Sequence, residues 1–346
     1  EKVGANTTII LDSKTYKVIG RDSLFDFDLS QTVDSFQPWI EAFDESIALR
    51  AANMQYPVFV CLSSGYDSGA ICASLNYQNI PYNTYTILAD EDKKVLNARK
   101  RINAVSHEMI TMYHEHFEKH YHFIKENCEE FAYQKVPFLD PSRRSNNFVR
   151  MTDDQAATGM SVICDIASSR SQRIYLSGQG ADEIHSDYGF RGQKIFDHSS
   201  FGGLYPDDLS TIFPKKSVTM PGRESSWYSF YEGTMSSYMS KEEYVSGVHG
   251  IEGRYPFLDK HMVQAFLNMT PELKNKYYKA PIYKYLKERN YPLEEGKKRG
   301  FSAAAGLNFN QIVEDRYESQ RREESEFFDI VFCCDSNCFS GLFAAI

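Results

Sequence analysis

The sequence contains no run of eighteen apolar residues, and no apolar segment of the signal-peptide type is visible at its beginning. A membrane-spanning helix needs about 20 such residues, so neither a membrane span nor secretion is expected. Basic residues are not in excess either, because 38 lysines and arginines compare with 47 acidic residues, for a formal net charge of −9. Nucleic-acid-binding surfaces are usually basic, so no nucleic-acid partner is expected.

Cysteine is scarce, with seven in 346 residues. The number is odd, and several cysteines lie in apolar segments, which favours reduced core thiols over a disulfide framework. These thiols are Cys61, Cys72, Cys128 and Cys164. Together with the missing membrane and secretion signals, they predict a soluble protein of the cytoplasm.

Short apolar runs alternate with helical periodicity along most of the chain. Residues 57–62 and 173–176 have the composition of buried strands, and residues 84–88 alternate like another strand. Helical spacing separates them, at residues 36–47, 92–105, 109–130 and 153–168. This alternation predicts an α/β fold, a parallel sheet with helices on both faces, and the pattern beyond residue 227 predicts a helical C-terminal part.

The same patterns predict three segments. Two strand-like stretches, at residues 7–11 and 15–19, predict a small β-hairpin within an N-terminal segment at 1–32. One large domain is expected at 33–310. A tail follows at 311–346, and no role is assigned to it.

Four histidines crowd residues 114–122, where His116 and His120 would share one helix face as a metal-binding pair does. The zinc-binding pattern His-Glu-x-x-His is absent from this segment. A solvated helix face is therefore the better prediction.

The stretch Ser-Ser-Gly-Tyr-Asp-Ser at residues 63–68 follows the first buried strand and opens a helical pattern. Small residues let the backbone approach an oxyanion, free N–H groups of the first helical turn point towards it, and the hydroxyls of Ser63 and Ser68 add donors. A carboxylate beside a phosphate, as Asp67 would be, implies a divalent cation between them. The lysine of a Walker A loop is missing, and an ordinary Ser/Gly turn is the alternative.

A second segment has the same kind of composition. Residues 177–183, Ser-Gly-Gln-Gly-Ala-Asp-Glu, follow the strand at 173–176 and end in carboxylates. Ligands bind at the carboxyl ends of the strands in an open parallel sheet. If the two strands are neighbours, Asp67 and Asp182 would hold one magnesium ion.

Both loops resemble known signatures. The first is similar to the pyrophosphate loop Ser-Gly-Gly-x-Asp-Ser of enzymes that split ATP into AMP and pyrophosphate, and the second to a signature of the asparagine synthetase family. Residues 252–259 and 298–302 resemble two later elements of that family, Glu-Ala-Arg-x-Pro-Phe-Leu-Asp and Lys-x-Gly-Phe. The chain is therefore identified as a member with an ATP-pyrophosphatase (synthetase) domain, and an adenine nucleotide alpha hydrolase-like fold is implied.

The resemblance implies an ATP-dependent, AMP-forming carbon–nitrogen ligase. A substrate carboxylate would be adenylated with release of pyrophosphate, and ammonia or an amine would then attack the acyl-adenylate. The residues implied to hold the pyrophosphate are Ser63, Gly65, Asp67 and Ser68. Mg²⁺ on Asp67 and Asp182 would offset charge on the phosphoryl oxygens, and Lys298 would add a positive charge.

The remaining implied roles concern removal of a proton from the attacking nitrogen and recognition of the adenine. Glu252 would take a proton from the attacking nitrogen as general base. The residues implied to border the adenine are Leu62, Ile87 and Gly178. Each role has a structural alternative: Lys298 in a solvated basic run, Glu252 as the partner of Arg254, and the adenine residues as ordinary core.

The chain departs from the family at several positions. Ser64 replaces the usual second glycine of the first loop, and Gln179 replaces a common glutamate in the second. Residues 1–32 are too few for the glutaminase domain of a full asparagine synthetase. Either such a part was removed, or nitrogen is expected from ammonia or an amine, with a separate glutaminase subunit as a possible partner. A small-molecule or peptide carboxylate is the expected substrate, with aspartate as the family default. The alternatives are a biosynthetic ligase or cyclase resembling β-lactam-forming synthetases and lasso-peptide cyclases, and a pseudoenzyme that serves as an interaction module.

Overall fold

A computed structural model describes residues 7–23, 25, 27, 28, 30–102, 105–128, 132–134, 148–185, 219–220, 223–224, 234–296, 301–304, 307, 308, 311–319 and 321. The chain divides into two compact units, residues 1–303 and 304–346. The first unit contains the sheet, and residues 311–319 of the second are helical. The predicted domain boundaries, at 33–310 and 311–346, stay predictions.

The described strands are β1 (Thr7–Leu11), β2 (Val18–Ser23), β3 (Val58–Cys61), β4 (Tyr82–Ile87), β5 (Ser106–Ile110), β6 (Ala132–Gln134), β7 (Phe148–Arg150), β8 (Ile174–Leu176), β9 (Thr219–Met220), β10 (Arg223–Glu224) and β11 (Glu252–Arg254). The described helices of the first unit are α1 (Gln37–Ala51), α2 (Tyr66–Tyr77), α3 (Lys93–Ile102), α4 (His114–Asn127), α5 (Gln155–Ser169), α6 (Ala181–His185), α7 (Thr234–Gly247), α8 (Lys260–Asn268), α9 (Pro271–Asn275) and α10 (Ala280–Glu288). Short 3-10 helices lie at Met151–Asp153 and Pro256–Leu258.

Five strands form a central sheet in the order β5-β4-β3-β8-β11, and every pair is parallel. The chain moves outward from β3 through β4 to β5, and then returns to place β8 on the other side of β3. The direction of winding therefore reverses between β3 and β8. In open α/β sheets such a reversal leaves a crevice at the carboxyl ends of the strands, where ligands bind.

Helices cover both faces of the sheet, as predicted. Val58 and Val60 of β3 join the large apolar cluster that includes residues of α1, α2, α8 and α10. Alternation along a strand sends the side chain between them to the opposite face. There Phe59 stacks on Tyr175 with ring centroids 5.3 Å apart and meets Tyr85 edge-on. Helices α4, α5 and α7 pack together as the second helical layer.

Two strands of this sheet were not predicted. The edge strand β5 includes Met109, which the helical pattern assigned to a helix at 109–130, and α4 begins only at His114. Strand β5 is mostly polar, with Ile110 its one buried residue, and this composition hid it. The other edge strand, β11, lies in the part predicted to be helical and has only three residues.

The prediction of a solvated face for the histidines of α4 is wrong at His120. Its side chain is buried, and Nδ1 lies 2.8 Å from the Ser161 hydroxyl on α5. His249 Nε2 lies 2.9 Å from the same hydroxyl. Burial lowers the pKa of His120 to about 4, so the ring is neutral at physiological pH.

The structure confirms an N-terminal hairpin, with β1 and β2 paired antiparallel, but its second strand covers Val18–Ser23 and not the predicted residues 15–19. It exposes several apolar side chains, among them Ile10 and Ile19. Across the described ranges, none of the helices has the length and apolar character that crossing a bilayer would require.

Candidate active site

The two predicted loops lie beside each other where the sheet winding reverses. Strand β3 leads into α2, whose first turn carries Asp67, and β8 leads into α6, whose first turn carries Asp182. A Cβ added to Gly178 would lie only 3.1 Å from Asp67 Cβ. Glycine at this position therefore allows the second loop to contact the first.

Asp67 and Asp182 converge on the ammonium group of Lys279. Its Nζ lies 2.7 and 2.8 Å from the two carboxylate oxygens of Asp67, and 3.0 Å from Asp182 Oδ1. The lysine side chain is only 3% exposed, whereas the carboxylates are 21% and 19% exposed. Burial alone would lower the pKa of Lys279, but the charges of Asp182 and Asp67 outweigh it and raise this pKa well above its usual value. A cation therefore lies between the two carboxylates at neutral pH.

Sequence reasoning missed Lys279, which precedes α10 in the left-handed conformation with φ of 47°. A left-handed backbone conformation costs a residue other than glycine roughly 1–3 kcal/mol, and it persists only where the surrounding structure holds it. One signal was available in the sequence. Pro281 marks the start of a helix, and a lysine at a helix N-terminus opposes the helix dipole.

Arg99 of α3 supports the first loop from within the core. Its Nη1 donates to the carbonyls of Ser63 at 2.5 Å and Gly65 at 2.7 Å, and its Nε donates to the Pro292 carbonyl at 2.9 Å. The side chain is fully buried, and a Cβ on Gly69 would overlap the guanidinium group. A buried cation thus fixes the backbone of the anion-binding turn.

The serines of the first loop have two different orientations. Ser63 and Ser68 bring their hydroxyl oxygens within 2.8 Å of each other, at the start of α2. Ser64 instead donates to the Glu91 carboxylate and accepts from the Asp92 N–H at 2.9 Å. Its φ is not left-handed. Serine in place of the usual glycine is therefore accommodated without backbone strain.

The second loop turns at Gly180, whose φ of 91° favours glycine and whose added Cβ would overlap Leu258. The Gly180 N–H donates to Glu183 Oε2 at 2.9 Å. Glu183 is 2% exposed, and burial together with the charge of Asp182 raises its pKa to about 8. A protonated Glu183 beside Asp182 limits the negative charge at this turn.

The residues predicted to border adenine lie at the carboxyl ends of β3, β4 and β8. Leu62 is buried, and its carbonyl accepts a hydrogen bond from the Thr86 hydroxyl at 2.6 Å. Ile87 is buried too, and its Cδ1 would lie 2.8 Å from a Cβ on Gly159. Both residues belong to packed core, and adenine binding by Leu62, Ile87 and Gly178 stays a prediction.

The structure does not bring Glu252 to the loops. Glu252 pairs with Ile174, the first residue of β8, and therefore lies towards the amino ends of the strands. Its side chain is 64% exposed, and Oε1 accepts from Arg254 Nε at 2.8 Å. It lines an open pocket of about 630 Å³ at the amino ends of the strands, away from the two loops. This position supports the ion-pair alternative, and the base role of Glu252 stays a prediction. Lys298 lies outside the described residues.

The donor set suits a magnesium ion that is shared with a bound ligand. In the described ranges no group of three or more His, Cys, Asp or Glu side chains is placed to hold a metal. Asp67 and Asp182 provide two converging carboxylates. Mg²⁺ is commonly bound by one or two carboxylates together with substrate phosphates and water. The two aspartates therefore fit a metal that arrives with a nucleotide.

Small-residue loops at a reversal in a parallel sheet, with converging acidic and basic side chains, define a nucleotide-binding class of α/β protein. A sequence profile for "Asparagine synthase" matches residues 39–333. The chain therefore belongs to the asparagine synthase family. At the level of the family, it is an ATP-dependent ligase that forms amide bonds.

Two solved structures are similar over most of this chain. NMN synthetase from Francisella tularensis has 11% identity and a TM-score of 0.30, with 78% of this chain and 100% of that chain covered. NAD+ synthetase from Burkholderia pseudomallei has 10% identity and a TM-score of 0.27, with 69% and 89% covered. Such low scores add no argument about function. A search of curated proteins found no match.

Proposed function

We propose that this chain adenylates a substrate carboxylate with ATP, releases pyrophosphate, and then forms an amide as ammonia or an amine displaces AMP. The observation that supports this reaction best is the convergence of Asp67 and Asp182 on Lys279. It lies beside two small-residue loops, at the edge of the sheet where ligands bind. The family match supports the same kind of chemistry.

The first loop would hold the departing pyrophosphate. The N–H groups of the first turn of α2 and the hydroxyls of Ser63 and Ser68 are suitable donors for phosphate oxygens, and Gly65 permits close approach. Lys279 supplies a positive charge in a largely water-excluded position, where charge stabilisation is stronger than in water. We propose Lys298 as a further phosphate contact, by family resemblance alone.

Asp67 and Asp182 would hold Mg²⁺. When bound, the ion would act as a Lewis acid towards phosphoryl oxygens. Lys279 holds both carboxylates before the metal arrives, so this part of the site is preorganised. Leu62, Ile87 and Gly178 remain the proposed border of the adenine.

The acyl substrate is proposed as a small-molecule or peptide carboxylate, and aspartate is the first to test. Nitrogen would come from ammonia, an amine or a separate glutaminase subunit. We also propose a cytoplasmic location. It is supported by the described cysteines, all four of which are free thiols.

The reaction is tested by incubating the protein with ATP, Mg²⁺ and single carboxylic acids, with ammonium as nucleophile. We expect acid-dependent release of pyrophosphate and formation of AMP in equal amounts. Asp182→Asn should abolish both. The matched control is Asp165→Asn, because Asp165 is 48% exposed and pairs with Lys119 away from the loops. ADP as the product, or full activity of Asp182→Asn, would contradict the proposal.

A further inference from the structure

A second buried carboxyl group lies next to the candidate site. Glu242 belongs to α7 and is 8% exposed. Its Oε1 accepts a hydrogen bond from the Gln179 side-chain amide at 3.2 Å. Gln179 belongs to the second loop, between Gly178, which contacts Asp67, and Asp182. Glu242 therefore contacts the loop that leads into Asp182.

The carboxyl group of Glu242 is not saturated with hydrogen bonds. Its Oε2 is buried and has no hydrogen-bond partner among the described residues. Burial raises the pKa of Glu242, and the hydroxyl of Ser177, the charge of Lys241 and the amide of Gln179 offset this only in part. A buried polar atom without a partner is costly, which suggests that a ligand group completes it.

Among the described residues, the titratable groups that influence or are influenced by Glu242 belong to four neighbouring segments and to its own helix. They are Cys61 of β3, Cys164 of α5, Tyr175 of β8, Tyr255 after β11, and Lys241 and Glu243 on its own helix. Lys241 forms a separate buried ion pair with Asp154, at 3.3 Å. The positive charge of Lys241 is therefore shared between Asp154 and Glu242.

We infer that Glu242 is the general base for amide formation, accepting the proton that the attacking ammonia or amine loses. This inference rests on the proposed function. It assigns to Glu242 the role that the sequence predicted for Glu252, which lies towards the amino ends of the strands. The nitrogen forms a bond to the acyl carbon, and the bond from that carbon to the AMP oxygen breaks. AMP leaves with the electron pair of that bond, and the proton of the nitrogen moves to Glu242. A carboxylate whose affinity for protons is increased by burial is suited to this step near neutral pH.

The test separates the two half-reactions. Exchange of labelled pyrophosphate into ATP, with aspartate and a panel of other acids, reports adenylation alone. Glu242→Gln should keep this exchange within about twofold of the parent protein and lower amide formation with ammonium about 100- to 10,000-fold, the usual contribution of a general base. Hydroxylamine is a weaker base than ammonia, so its nitrogen gives up a proton more readily once it has attacked, and product formation with it should fall much less.

Control variants distinguish a base from a packing residue. Glu243→Gln is the matched control, because Glu243 is the next residue on α7 and its carboxylate instead accepts from the Tyr255 hydroxyl at 2.7 Å. It should retain amide formation.

The parent protein should lose activity with ammonium at acidic pH as Glu242 is protonated, and Glu242→Gln should lack this dependence. Infrared difference spectra between neutral and acidic pH provide a readout without turnover, since the band that appears when the buried carboxylate of Glu242 is protonated should be missing in Glu242→Gln, while the band of protonated Glu183 should remain.

Each other outcome has a definite meaning. Absence of pyrophosphate exchange by the parent protein with every acid refutes the proposed function, and the base assignment with it. If Glu242→Gln keeps both pyrophosphate exchange and normal amide formation, the base assignment is wrong but the proposed function stands. An equal loss with ammonium and hydroxylamine also overturns the base assignment, and it would indicate a structural role. A selective loss in Glu252→Gln instead would restore the base predicted from the sequence.

Discussion

Replacing Lys279 by methionine gives the most direct test of the site geometry. Removing one partner of a buried ion pair typically costs about 3–5 kcal/mol, because a charge is left without compensation. Here one ammonium serves two carboxylates, Asp67 and Asp182, but both keep about one-fifth of their exposure. We therefore expect a loss of about 3 kcal/mol in the free energy of unfolding, at the low end of that range. The left-handed backbone at this position contributes little to the difference, since methionine bears the same strain.

Urea unfolding at neutral pH would measure this loss. The control is Lys284→Met, because Lys284 is 43% exposed and its pair with Glu288 is worth at most about 0.5 kcal/mol. The pKa of Lys279 is raised in the folded state, so its contribution is fully present below the unfolded value of about 10.4 and is lost only as pH rises above it. The difference between parent and variant should thus be constant around neutral pH. Equal stability of Lys279→Met and Lys284→Met would refute the reasoning.

Magnesium provides a second comparison on the same variant. A ligand present at 100 times its dissociation constant stabilises the folded state by about 2.7 kcal/mol. In Lys279→Met the ion would meet two carboxylates without their ammonium, whereas in the parent it meets a site that already holds a cation. Mg²⁺ should therefore stabilise the variant more than the parent.

Three further predictions concern the supporting structure. Gly178→Ala places a Cβ 3.1 Å from Asp67 Cβ, so it should separate the two loops and weaken ATP binding in calorimetry with little change in stability. Gly69→Ala would overlap the buried guanidinium of Arg99, and we expect a loss of about 1–3 kcal/mol in chemical unfolding. His120 has its pKa lowered to about 4, so its stabilising contribution is lost as pH falls through the interval between about 6.5 and about 4. Between these two pH values the free energy of unfolding of His120→Gln should fall by about 3 kcal/mol less than that of the parent protein. An equal fall in both proteins would contradict this.

The fold could be predicted where the sequence pattern was strong. Strand β3 and strand β8 are continuous apolar runs, and α5 begins after Asp154, whose side chain accepts from the Ala156 N–H as a capping residue does. The edge strands β5 and β11 were missed because an edge strand need not be apolar or long. Their place is set by hydrogen bonding to a neighbouring strand, which periodicity does not report.

The site could be predicted only as far as consecutive residues carry it. The loops containing Asp67 and Asp182 were recognisable because each is a compact run of small and acidic residues after a strand. Lys279 and Glu242 are single charged residues on later segments, and only tertiary packing brings them there. Glu252 shows the opposite case, since a motif match gave it a role that its position on β11 does not support.

The charges at the site explain why a lysine lies where a metal was expected. Two carboxylates held this close would repel each other, and the ammonium of Lys279 reduces their combined charge from −2 to −1. A metal-free triphosphate would therefore meet a net negative site and bind poorly. A bound Mg²⁺ ion would bring the local charge to +1, which is complementary to phosphate. On this proposal Lys279 would keep the aspartates together before the nucleotide arrives, and the remaining negative charge would make binding of the nucleotide depend on its metal.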